Sequence, residues 1–246
     1  MNKKKIIRIV MILMVCAGGY LVYINFKSPT TFFSDKELIE EINRYDHTHQ
    51  AQKIVDKIEV DERHYFVPIQ FSNGGSGMSF WKWQMGKWRL IHFTNNKLLF
   101  WQLDEHDGAT RYILWHHHRL NMQDEKISMY LIRERNANMF NDDEHEEHRY
   151  DPKIQMEHQL QLDSYGIEPI PKAWGSIIRN VEQQNEKSNF INGFSMFDSF
   201  YQNQFTIRVQ VDDHSSFSPV NGYGYWTGNA DSTIEHPLYI EDIELE

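Results

Sequence analysis

An apolar run behind a lysine cluster constrains this chain more than any other feature. Ile9–Ile24 reads IVMILMVCAGGYLVYI, 16 residues without a charge, and it widens to 21 residues over Ile6–Phe26 with only Arg8 and Asn25 interrupting. As a helix, 21 residues cover roughly 30 Å, about one hydrocarbon thickness. Arg8 sits near one end, where its long side chain can snorkel to headgroups. Tyr20, Tyr23 and Phe26 suit the opposite interface. Lys3, Lys4 and Lys5 precede the run, and the positive-inside tendency keeps that end in the cytoplasm. The expectation is a cytoplasmic basic tip and transmembrane signal anchor over 1–27, meeting membrane lipid through residues 6–26. A connector follows over 28–33, then an extracytoplasmic α+β domain over 34–246, the whole being a single-pass protein of the cell membrane. Two processing motifs compete with an uncleaved anchor. Val15-Cys16-Ala17 offers a weak cleavage site, and Leu13-Met14-Val15-Cys16 matches a bacterial lipobox in part, with bulky Val15 where a small residue belongs. The uncleaved anchor is preferred because the apolar run continues past both.

Charge separates along the same line. Residues 1–27 hold five of the 25 basic residues and no acid, so 28–246 carries 20 basic against 35 acidic residues, a formal −15. That balance argues against a nucleic-acid partner, which calls for a basic stripe. The single cysteine, Cys16, lies inside the apolar run, so the remainder has neither a disulfide framework nor a thiol nucleophile. A cysteine-free, acidic, exported domain fits a bacterial envelope protein.

Beyond the connector the pattern is α+β, a mostly antiparallel β-meander with two amphipathic helices. Ser34 and Glu37 form a capping box ahead of Leu38, Ile39, Ile42 and Tyr45, predicting a helix over about 35–50. Tyr65, Val67, Ile69 and Phe71 alternate as a strand with one buried face, which Pro68 assigns to an edge or bulge. Met78–Met85 and Trp88–Phe93 flank Gly86-Lys87 as a hairpin. Leu98–Leu103, Arg111–His117, Ile127–Arg133 and Ile154–Leu162 continue the strands. Pro171 opens a second helix carrying Trp174, Ile177, Ile178 and Val181 at helical spacing. Phe205–Val211 is a strand, and 213–233 reads as a long loop. No Pro/Gly/Ser linker divides 34–246, so one domain is expected.

The standard catalytic signatures are missing: no phosphate loop, no dinucleotide fingerprint, no Gly-x-Ser-x-Gly elbow and no His-Glu-x-x-His. Catalytic residues therefore stay unassigned. Three features carry what chemistry there is. All 13 histidines lie beyond the apolar run, and His116, His118, His145 and His148 are the candidate metal ligands, the last pair within the acidic run NDDEHEEH. Against this, neighbouring strand residues point to opposite faces, and an acidic run between strands is usually a solvated loop. Five of the seven tryptophans fall within 35 residues, Trp81 to Trp115. Trp81 and Trp83 can offer an aromatic binding surface for a sugar ring or a protein, but their alternation with Lys82 and Gln84 fits burial better. Tyr223, Tyr225 and Trp226 lie in a Gly-punctuated segment suited to a recognition loop.

The expected function is a non-enzymatic binding or accessory domain, membrane-anchored at the cell envelope, with an envelope protein or wall polymer as partner and no cofactor. The alternatives are an envelope hydrolase using paired carboxylates on wall polymers and a His/acid-rich metal-binding domain.

Overall fold

The computed structural model describes residues 3–45, 49–104, 107–117, 126–133, 135–142, 145–151, 153–191, 205–210, 224–226, 233–235 and 238–239. It is mixed α+β with mostly antiparallel sheets and few helices. The chain divides into two compact units, Met1–Asn95 with Tyr223–Gly228, and Asn96–Gly222 with Asn229–Glu246. The division falls at Asn95-Asn96, a polar turn between consecutive strands, where no linker composition marks it.

The first unit begins with helix α1 (Lys3–Phe26), 24 residues long. Many of its described large apolar side chains, among them Leu13, Met14, Val15, Tyr20 and Tyr23, are exposed. Among the described residues no helix is long and apolar enough to cross a membrane, so the fold by itself does not support the transmembrane expectation. Helix α2 (Asp35–Tyr45) starts at the foreseen capping box. The Ser34 amide and hydroxyl both donate to Glu37 Oε2, at 2.8 and 2.7 Å. Those bonds hold the Glu37 carboxyl below its ordinary range.

Strands β1 (Ala51–Ile54), β2 (Ile58–Asp61), β3 (His64–Phe71), β4 (Ser76–Gln84) and β5 (Lys87–Thr94) form one antiparallel sheet. Leu38 and Ile42 of α2 pack on it with Val67, Ile69, Trp81, Leu90 and Phe93. Asn43 ties helix to sheet by spanning both main-chain groups of Ala51, donating to its carbonyl at 3.0 Å and accepting its amide at 2.7 Å.

Two readings of this sheet need correcting. Pro68 does not put β3 on an edge, because β3 pairs with β4 on one side and with β1 and then β2 on the other. The proline falls where the outer neighbour changes, so its missing N–H is not demanded there, while its carbonyl accepts the Val55 amide at 2.9 Å. The second correction is burial on both faces: Phe66, Met78 and Phe80, opposite the helix-facing set, are also buried.

The second unit holds β6 (Leu98–Gln102), β7 (Arg111–His116), β8 (Lys126–Arg133), β9 (Asn136–Asp142), β10 (His145–Asp151), β11 (Ile154–Gln161), β12 (Tyr165–Pro169), α3 (Lys172–Ile191) and β13 (Thr206–Gln210). Leu98 and Phe100 of β6, Ile113 and Trp115 of β7, Met129 and Leu131 of β8, Leu160 of β11, Trp174 and Ile178 of α3, and Ile207 and Val209 of β13 share one core. Three short strands, β14 (Gly224–Trp226), β15 (Thr233–Glu235) and β16 (Leu238–Tyr239), add themselves to β5, β6 and β13 respectively. The first of these replaces part of the loop expected over 213–233. The described residues of the acidic run, 141–142 and 145–148, are likewise strand rather than loop, since β9 and β10 pair antiparallel over 136–142 and 145–151.

Candidate functional site

The most elaborately built feature among the described residues is an aromatic socket on the α2 face of the first unit. Alternation puts Tyr65, Trp81, Trp83, Trp88 and Leu90 on that face of three adjacent strands. The segment between α1 and α2 lies in it. Phe32 stacks on Tyr65 with ring centroids 3.9 Å apart and 6° between planes. The same ring meets Trp88 edge-on at 5.0 Å, and Phe33 meets Trp81 at 5.5 Å.

Two indoles fasten the main chain. Trp83 Nε1 donates to the Lys27 carbonyl at 3.1 Å, and Trp88 Nε1 donates to the Thr30 carbonyl at 2.9 Å. Trp81 instead donates inward to Ser79 Oγ, which passes a bond to the Val67 carbonyl. A buried indole N–H needs an acceptor, and here two of the three find it in residues 27–30. The arrangement sets the direction in which the chain leaves α1.

Beside the socket, Asp61 and His64 form a carboxylate–imidazole pair, with His64 Nδ1 at 2.8 and 2.9 Å from the two carboxylate oxygens. Burial works to raise the Asp61 carboxyl. The hydrogen bond and charge of His64, with the amides of Arg63 and His64, outweigh it and hold the group below its ordinary range. Such a pair can orient a general base. Here His64 is 7% exposed and its Nε2 is buried. The imidazole therefore braces the β2–β3 turn instead of meeting a substrate from solvent. Tyr65 donates to Glu59 at 3.0 Å, and its hydroxyl is held above its ordinary pKa by burial and by that carboxylate.

The sequence-nominated residues divide between these surroundings. Trp81 and Trp83 are interior, at 0% and 2% exposure, and they line the socket rather than an open groove. Tyr225 and Trp226 belong to β14, opposite Phe93 and His92 of β5. Tyr223 and His118 lie outside the described residues. His116 is buried at the end of β7, its ring edge-on to Tyr165 at 6.0 Å. His145 and His148 are three apart on β10, whereas residues sharing a strand face recur every second position. Among the described residues, no group of three or more His, Cys, Asp or Glu side chains is placed to hold a metal ion.

Sequence reasoning passed over Lys27, Thr30, Phe32, Phe33 and Tyr65 as site residues. A signal existed for Phe33: it directly precedes the N-cap Ser34 and stands five residues before Leu38, the spacing of a hydrophobic staple. Phe33 does pack against the cluster that contains Leu38.

No family model matches the chain, and comparison with curated proteins and with solved structures also found no match.

Proposed function

We propose that this is a single-pass membrane protein whose remaining chain is an extracytoplasmic, non-enzymatic binding or accessory module of the cell envelope. The carrying observation is the apolar run itself. Over Ile6–Phe26 the full sequence offers 21 residues with one charge, in a continuous helix on which Ile6, Ile7 and Ile9–Val15 are exposed apolar side chains. Exposed apolar surface on that scale is a membrane or protein contact. The flanking Lys3, Lys4 and Lys5 favour lipid and a cytoplasmic start. The socket supports the reading further, because it fixes how the sheet of the first unit hangs from the helix.

Fractionation tests the proposal. Full-length protein is expected to pellet with membranes and resist an alkaline carbonate wash, and a fragment beginning at Lys27 to stay soluble and folded. Protease added outside intact cells is expected to digest the large domain. Full-length protein in the carbonate-soluble fraction overturns the anchor, and protection of the domain overturns its orientation.

A further inference from the structure

We infer that the tip of the β4–β5 hairpin is a second membrane contact, resting on the lipid–water interface where α1 emerges; this builds on the anchor proposed above. Gln84 and Lys87 pair across a two-residue turn made by Met85 and Gly86. Both turn residues have positive φ, 52° and 76°, as a type I′ hairpin turn requires. That first position normally takes Asn, Asp or Gly, and a bulky residue there is strained. This chain places an unbranched apolar methionine in it and leaves the side chain 57% exposed. Local rules are broken in this way mainly where a surface has a task.

The position of the turn names the occupant. A Cβ built on Gly86 would lie 3.3 Å from Ile24 Cγ2, so the hairpin tip touches α1 in its final turn. Ile24 lies only two residues, about 3 Å of rise, before the end of the helix at Phe26. If the charge-free run to Ile24 fills the hydrocarbon, its end marks the interface, and the tip sits at that depth. Trp83, next to the turn, holds the Lys27 carbonyl and fixes the hairpin against the helix exit. Tyr20, Tyr23 and Phe26 are exposed on the last two turns of the same helix. Lys27, Lys87 and Arg89 are exposed around it, in a chain whose remainder is strongly acidic. Glu62 and Arg63 of the neighbouring β2–β3 turn carry offsetting charges. An apolar tip with a basic rim suits anionic headgroups above an acyl boundary.

The test uses full-length protein with Cys16→Ser, reconstituted in phosphatidylcholine–phosphatidylglycerol vesicles containing spin-labelled acyl chains. A fluorescent label is placed on single cysteines at three sites. Val15→Cys reports the helix centre. Met85→Cys reports the tip. Ser72→Cys reports the β3–β4 turn, about 30 Å away along β4. Strong quenching at position 15, at least threefold more quenching at 85 than at 72, and little at 72 are expected. Quenching at 15 with position 85 no different from 72 overturns the tip contact and leaves the anchor standing. No quenching at 15 overturns the anchor, and the tip contact falls with it. Met85→Asn, which suits the turn better, keeps the result independent of label-induced misfolding. It is expected to fold at least as stably while halving or more the quenching of a label at Lys87→Cys. Unchanged quenching there also overturns the proposal.

Discussion

His117, the residue after β7, is a buried imidazole, its amide bonded to the Ser164 carbonyl. Burial, then the charges of Lys97 and His116, push its pKa down to about 3. In the unfolded chain the same ring takes up a proton near pH 6.5. Between those values the unfolded state binds the extra proton, so acid draws the equilibrium toward unfolding; above about 6.5 neither state is protonated and the effect vanishes. Stability is therefore expected to fall by roughly 1 kcal/mol for each pH unit below about 6 on this residue's account. His117→Gln removes the titration while keeping a polar side chain. Urea denaturation at pH 7, 6 and 5 is expected to give a shallower pH slope for the variant, by about one proton. Parallel slopes would show that the ring is charged in the fold.

At the scale of elements, Asn43 makes α2 and β1 interdependent. Replacing it by Ala leaves both main-chain groups of Ala51 without the side chain that spans them, at the start of a four-residue strand. A loss of about 1–3 kcal/mol is expected. Amide exchange should rise across 51–54 and leave the Leu98–Gln102 strand unchanged; uniform exchange across both would refute a local tie. The capping box and the Leu38/Ile42 stripe announce α2 in the sequence, because each signal lies within four residues of the next. The alternation of Tyr65, Val67, Ile69 and Phe71 announces β3 for the same reason. It does not reveal that Phe66 and Phe80 are covered too, since a strand buried on both faces differs only by what packs on it. β14 and β15 were illegible because three residues are too few to show a period, and their partners β5 and β6 lie more than 100 positions away. The β9–β10 pair hid behind its acidic composition. Of the socket, the tryptophans could be read as interior from Lys82 and Gln84 between and beside them. Their hold on Lys27 and Thr30 spans 56 and 58 positions, which no local pattern carries.

For the whole molecule, the socket means that residues 27–33 are structural in the first unit, not a slack tether between helix and domain. Two fragments separate these alternatives. One beginning at Lys27 keeps both carbonyls that the indoles hold and both phenylalanines. One beginning at Ser34 keeps the cap of α2 but strips Phe32 from Tyr65 and Phe33 from Trp81. Losing two half-buried phenylalanine side chains and two indole bonds is expected to cost roughly 2–4 kcal/mol and to lower Tm by about 10 °C. Trp88→Phe then assigns the effect. In the longer fragment it removes the bond to the Thr30 carbonyl and part of the ring that Phe32 meets, for an expected 1–3 kcal/mol. In the shorter fragment Thr30 and Phe32 are gone, so the same substitution should cost much less. The coupling between truncation and substitution, read from calorimetry of all four proteins, is the energy of the contact itself. Equal costs in both fragments would mean that Trp88 stabilises the sheet alone, and that the chain between helix and domain is a tether after all.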